Sequence, residues 1–167
     1  MFNYENKEYL EHLNTKTAEW YADMLASVLR YRPQRVLELG CGDGAFTRLL
    51  AENGIRVLAL DHSETFLAYA RRQTKSRLVR FAQANLDGAA GLSITERRFD
   101  AVVSIDVVEH LRKKERLLKD VAAVLAVDGV LVLQAPNLYC NLVSQNYVHS
   151  PANMLRKLRR AVRGTLR

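Results

Sequence analysis

The sequence predicts a doubly wound α/β domain, a mostly parallel sheet with helices on both faces, and three observations carry that prediction. Hydrophobic spacing switches along the chain between the 3.6-residue repeat of an amphipathic helix and short apolar runs suited to buried strands. Five such runs occur, most of them separated by helical segments, as right-handed crossovers between parallel strands require. An apolar content of 49% with 26% charged residues over 167 positions suits one packed core. It excludes a disordered chain, a coiled coil or two large domains.

The elements follow in order. Trp20, Tyr21, Met24, Leu25, Val28 and Leu29 share one helical stripe that stops before Pro33, because the residue preceding a proline disfavours helical geometry. Val36 to Leu39 reads as the first strand, and Phe46, Leu49 and Leu50 as a helix ending near Asn53-Gly54. Ile55 to Leu60 is the second strand, and Ser63 is placed to cap a helix that turns Phe66, Leu67 and Ala70 inward. Leu78 to Ala82 forms a third strand, Asn85 to Arg98 a loop, and Ala101 to Ile105 a fourth, fully buried strand. Leu117, Leu118, Val121 and Leu125 mark a helix, Asp128-Gly129 a turn, and Val130 to Leu133 a fifth strand broken at Pro136.

The formal charge of +7 is unevenly distributed. Residues 1–150 are nearly balanced, whereas Arg156, Lys157, Arg159, Arg160, Arg163 and Arg167 follow with no acidic residue among them. The excess therefore belongs to a tail rather than to a face of the fold. Cys41 and Cys140 are too few for a disulfide framework and lack metal-type spacing, so both are expected to be reduced. No apolar run approaches the roughly 20 residues of a membrane span, and no basic-then-apolar leader is present, which gives a cytoplasmic address by default.

The sharpest local feature is Glu38-Leu39-Gly40-Cys41-Gly42-Asp43-Gly44, a glycine-rich turn between a strand and a helix. Glycines let backbone approach a ligand and tolerate positive φ, and a helix start presents free N–H groups. Taken alone this is compatible with a plain tight turn. The alternate spacing differs from the G-x-G-x-x-G of nicotinamide-dependent dehydrogenases, which argues against that class. Asp61 ends the second strand, where a carboxylate can accept two hydrogen bonds from a ribose diol in the crevice at the strand ends. Asp106-Val107-Val108-Glu109-His110-Leu111 follows the fourth strand.

Together these segments, from about Arg35 to Asn137, resemble the class I S-adenosylmethionine-dependent methyltransferases of the small-molecule, E-x-G-x-G-x-G type. The resemblance implies a Rossmann-like fold, an enzyme, S-adenosyl-L-methionine as cofactor and S-adenosyl-L-homocysteine as product. Carried over, Glu38, Gly40, Cys41, Gly42 and Gly44 would wrap the methionine part, with Glu38 supporting its amino group. Asp61 would take the ribose hydroxyls, and His62 and Ser63 would border the adenine. Asn85, followed by Leu86, sits where the family often has Asp beside the adenine amino group. Its side-chain oxygen can still accept that bond, although Asn is also a common turn former. Asp106 would line the sulfonium end.

Methyl transfer from a sulfonium is an in-line displacement that needs alignment and exclusion of water but no metal, and no metal site is expected. A base is needed only for an acceptor hydroxyl of high pKa. The resemblance puts His110 beside the substrate pocket, and Glu109 is the second candidate. The segment after the fourth strand lacks the Pro-Pro-aromatic signature of nucleic-acid amino methyltransferases, which disfavours DNA adenine as substrate. The expected acceptor is a small molecule or a sugar- or lipid-linked group, methylated on oxygen. The alternatives are a non-catalytic cofactor-binding or partner-binding module and, behind it, an RNA methyltransferase.

Three regions are expected: an N-terminal helical flap at 1–32, a cofactor-binding core at 33–137, and a C-terminal segment at 138–167. Tyr9, His12 and Trp20 are candidate pocket residues of the flap, and Tyr139 and His149 lie beyond the fifth strand. The family fold continues with strands six and seven, yet none is visible here, which suggests a truncated or minimal version. The fifth strand is then an open edge on which a second copy can pair into a homodimer. Met154, Leu155, Leu158, Ala161 and Val162 lie beside the terminal cations in a basic amphipathic helix. It can pack on the sheet edge, meet an anionic membrane or a partner protein, or bind nucleic acid, the last being least favoured.

Overall fold

The computed structural model describes residues 21–88, 92 and 94–135. The readings placed on Tyr9, His12, Trp20, Pro136, Tyr139, Cys140, His149, the basic helix and the two closing strands lie outside these residues. The chain divides after Gln134 into two compact units, and all but one of the described residues belong to the first.

Helix α1 spans Ala22–Leu29, β1 Arg35–Leu39, α2 Ala45–Glu52, β2 Arg56–Asp61, α3 Glu64–Gln73 and β3 Val79–Gln83. Strand β4 runs Phe99–Ile105, a 3-10 turn Val108–His110, α4 Lys114–Val124 and β5 Leu125–Gln134. The sheet is parallel throughout, in the order β3-β2-β1-β4-β5. The chain winds outward from β1 to β3, crosses back, and continues through β4 to β5. The winding direction thus reverses between β1 and β4, where open α/β sheets form a crevice at the strand carboxyl ends.

Period-two alternation in the central strands supplies both cores. Val36, Val57, Ala59, Ala101 and Val103 join Met24, Val28, Phe46, Leu50 and Leu67 on the face covered by α1, α2 and α3. Leu37, Leu39, Leu58, Leu60 and Val102 join Leu117, Val121 and Val124 of α4 on the other. Strands β1, β2 and β4 are buried on both faces, while β3 and β5 are only partly buried. Each fully buried Leu or Val contributes about 1.5–3 kcal/mol. The carboxylate of Asp100 anchors the start of β1, its Oδ2 accepting from the amides of Gln34 and Arg35, both at 2.8 Å.

The expected elements are present, and the differences lie at boundaries. Ser63 caps α3, its hydroxyl accepting from the Phe66 amide at 3.3 Å, and Phe66, Leu67 and Ala70 are the buried residues of that helix. Leu125 begins β5 instead of ending the preceding helix, because it pairs with Phe99. Asp128-Gly129 lies inside β5, in an irregularity between the Phe99–Leu125 and Ala101–Val130 pairs. Cross-strand pairing has absorbed a turn-like dipeptide into a bulge. His110 ends the short 3-10 turn, and the following helix starts four residues later.

Candidate functional site

The site is built on the carboxyl ends of β1, β2 and β4. Gly40, Gly42 and Gly44 have φ values of 74°, 53° and 74°, so the turn from β1 into α2 needs residues without a Cβ penalty. Two of the glycines also answer to packing. A Cβ on Gly40 would fall 2.3 Å from Val107 Cγ2, and one on Gly44 2.9 Å from the Ala70 Cβ. Gly42 differs, since a Cβ there would meet nothing within 4 Å. Its bare backbone faces open space.

Asp61 holds this turn in shape. The amides of Gly40 and Cys41 both donate to the Leu60 carbonyl at 2.7 and 2.9 Å, and the Gly42 amide donates to Asp61 Oδ2 at 2.8 Å. Asp61 Oδ1 accepts from the Ser63 amide at 2.9 Å, with His62 Nδ1 3.4 Å away. Each carboxylate oxygen keeps a second lone-pair direction, so the expected diol contact is compatible with the clamp. His62 is largely exposed beside it.

Glu38 is buried and accepts a 2.5 Å hydrogen bond from Thr47 Oγ1. Burial pushes its carboxyl up to about 8, with Asp43 and Asp61 adding to the rise, while the Thr47 hydrogen bond and Arg48 oppose it. Asp43 is buried too, with Oδ1 accepting from the Ala45 amide at 3.0 Å, and Arg48 Nη1 donates to its carbonyl at 2.9 Å. Burial likewise pushes the Cys41 thiol upward, which keeps it protonated and unreactive.

Asp106 follows β4 with φ 54°, and its amide donates to the Gln134 carbonyl at 2.9 Å. That conformation turns the chain so that Val107 meets Gly40. Glu109 Oε2 is buried without a hydrogen-bond partner among the described residues, while Oε1 lies 3.8 Å from His110 Nε2. The His110 side chain is 60% exposed. Asn85 is exposed and its Oδ1 accepts from the Asp87 amide at 3.1 Å, the turn-forming geometry, while Leu86 packs against the core on the α4 face.

The structure therefore brings Glu38, Gly40 to Gly44, Asp61 and the Asp106-Val107 turn together. Four participants carried no motif signal. Thr47 partners Glu38, Val107 seals Gly40, and Asp87 Oδ1 accepts from the amides of Arg112 and Lys113 at 3.0 and 3.1 Å. Tyr21 is the fourth: it is buried with its ring centroid 5.4 Å from that of Phe46 in α2, and burial, then the carboxylates of Asp43, Glu38 and Asp106, push its phenol upward. A threonine among the apolar residues on the buried face of α2 was the one legible sign. Among the described residues no cluster of three or more His, Cys, Asp or Glu could hold a metal ion. No helix among them is long and apolar enough to cross a membrane.

A cationic, diol-bearing cofactor fits this arrangement: buried carboxylates at Glu38 and Asp61, and open space over Gly42. Known proteins agree. A Mycobacterium tuberculosis protein named "Probable S-adenosylmethionine-dependent methyltransferase" is 37% identical over 102 residues, covering 61% of this chain and 35% of its own length. The ubiquinone biosynthesis O-methyltransferase of Coxiella burnetii is 27% identical over 104 residues, 62% of this chain and 44% of that protein. This chain thus spans less than half the length of either relative. The S-adenosylmethionine-bound structure of CalS10, an amino pentose methyltransferase of Micromonospora echinaspora, superposes with a TM-score of 0.65 at 26% identity. It covers 78% of this chain and 56% of CalS10. Residues 37–133, more than half of the chain and the whole stretch that carries the glycine turn, the Asp61 clamp and the Asp106 turn, match the family model for a methyltransferase domain. On that match the chain belongs to the methyltransferase domain family, whose cofactor is S-adenosylmethionine.

Proposed function

We propose that the protein transfers the methyl group of S-adenosylmethionine to an oxygen of a small-molecule or sugar- or lipid-linked acceptor. The observation that carries this reading is Asp61, which shapes the glycine turn through Gly42 while keeping lone pairs for a ribose diol. The cofactor supplies an activated methyl group, so the chain has to bind, align and exclude water. Asp61 and Asp106 form an acidic surround at the ends of β2 and β4, and a cation bound beside the buried Glu38 would favour its ionised form. His62 and Leu86 would flank the adenine, and the Oδ1 of Asn85 would accept from its amino group while closing its own turn.

Glu109 and His110 are assigned to the acceptor. The partnerless buried Oε2 of Glu109 is an acceptor suited to a substrate hydroxyl, and His110 stands next to it to take the proton. The O-methylation named for the Coxiella protein and the sugar named for CalS10 support an oxygen on a small or sugar-bearing acceptor. Calorimetry with S-adenosylhomocysteine tests the cofactor site, and methyl transfer from labelled cofactor to a panel of phenols and glycosides tests the acceptor. Absence of binding by folded protein, or unchanged binding in Asp61→Ala, would overturn the reading.

A further inference from the structure

The amino-terminal edge of the sheet carries a feature that methyl transfer does not use. A cavity of about 470 Å³ opens there, lined by Arg35, Arg56, Arg77 and Arg80 with one acid, Glu96. Its position follows from the topology. Arg35 and Arg56 are register partners at the starts of β1 and β2, and the Val57 amide donates to the carbonyl of Leu78, the residue after Arg77. Three cations thus stand at the lower ends of three adjacent strands, whose neighbours lie about 4.8 Å apart. Arg80 pairs in register with Leu58, so Arg35, Arg56 and Arg80 share the sheet face of Leu37 and Leu58. Among the described residues that face carries α4 and, from the segment before β4, Leu92 and Ile94, and Glu96 and Arg97 reach the arginines at the strand starts.

The charges in the cavity are not balanced from within. Glu96 accepts Arg80 Nη2 at 2.7 Å and lies 3.5 Å from Arg35 Nη2, so its single charge is shared by two guanidiniums. Arg35 also stacks over the Phe99 ring at 5.2 Å, which fixes its plane. The Asp100 carboxylate, at the start of β4, is occupied by the backbone amides of Gln34 and Arg35. Among the described residues Arg56 and Arg77 have no ion-pair partner. Arg56, Arg77 and Arg80 are exposed, and like charges collected on neighbouring strands with one shared counter-charge create a positive potential that attracts an anion. Guanidinium forks match phosphate oxygens bidentately, and the volume is that of a small-molecule site rather than of an extended groove.

We infer that this cavity is a second binding site, which takes the di- or triphosphate group of a small molecule, with Arg56 and Arg77 as its principal ligands and Arg35 and Arg80 held ready by Glu96. It lies about 13 Å from the cofactor crevice, the length of β1 at ~3.3 Å per residue, so both sites can be filled together.

Calorimetric titration of the full chain with inorganic triphosphate, beside Arg56→Gln/Arg77→Gln, tests the assignment, with S-adenosylhomocysteine titrated in parallel as a readout of the other site. The expected result is triphosphate binding that weakens steeply with salt and falls roughly tenfold or more in the double variant, with the S-adenosylhomocysteine affinity unchanged. Equal triphosphate affinity in the double variant would place binding on the basic residues 151–167 and overturn the proposal, as would no binding by the unaltered protein. A single-stranded oligouridylate that binds through the same two arginines and is not displaced by triphosphate would make the surface a nucleic-acid contact instead. Because triphosphate is read separately, failure of S-adenosylhomocysteine binding would count against the methyl-transfer reading alone.

Discussion

Thr47 Oγ1 donates a 2.5 Å hydrogen bond to Glu38 Oε2 inside the protein, joining the last-but-one residue of β1 to the first turn of α2. The bond draws the Glu38 carboxyl downward while burial draws it up, and burial wins, leaving it at about 8. The residue that would meet the cofactor's amino group is thus a titrating group near neutrality.

Stability of the cofactor-free protein should therefore fall with pH across that window. Glu38 binds its proton more tightly folded than unfolded, so its contribution is complete below about 4.5 and is lost as pH rises through about 8. Urea unfolding at pH 5, 7 and 9 should show a loss of a few kcal/mol attributable to this group. In Glu38→Gln, which can still accept from Thr47, that part of the slope should vanish.

Cofactor binding should release a proton below about pH 8, because a cation placed beside Glu38 favours its carboxylate. Titration of S-adenosylmethionine in buffers of different ionisation enthalpy reads this directly. Glu38→Gln should bind more weakly and release less.

Thr47→Val removes the donor and leaves a buried carboxyl oxygen without its partner, at a cost of about 1–3 kcal/mol. Thr47→Ser keeps the hydroxyl and should restore most of that loss in thermal or urea unfolding. The Glu38 transition should move to higher pH in the valine variant and stay in place in the serine one.

Gly40→Ala and Gly42→Ala should separate folding from binding. Both positions have positive φ, which costs an alanine about 1–2 kcal/mol. At position 40 the new methyl also strikes Val107, so the variant should be markedly less stable, and Val107→Ala should relieve part of the loss. At position 42 the methyl enters open space, so the protein should fold and lose S-adenosylhomocysteine affinity instead.

Asp61→Asn should be nearly as damaging as Asp61→Ala. Both carboxylate oxygens accept backbone amides, from Gly42 and Ser63, so an amide side chain must turn its NH2 toward one of two donors. A stability loss of about 1–3 kcal/mol and at least roughly tenfold weaker cofactor binding are expected by calorimetry.

Much of this architecture was legible in the chain because it rests on local rules. Val36 to Leu39 announced a buried strand, Ser63 announced its helix, and the glycines of 40, 42 and 44 announced a turn with positive φ. What could not be read were contacts between residues far apart in sequence. Val107 against Gly40, Tyr21 beside Asp43 and Glu38, and Asp87 under Arg112 each join segments brought together only by strand order. The Asp128-Gly129 turn became a bulge because pairing with β4 continued on both sides of it.

The charge shows the same division. Summed along the sequence, residues 1–150 are nearly neutral and suggest no charged face. A parallel sheet, however, sends all strand starts to one edge and all strand ends to the other. It gathers Arg35, Arg56, Arg77 and Arg80 at the first and Glu38, Asp61 and Asp106 at the second. By itself the sequence determined the family, the strands and the glycine turn, since each is written in neighbouring residues. Only the tertiary structure decided where opposite charges collect, because that depends on the common direction of strands far apart in the sequence.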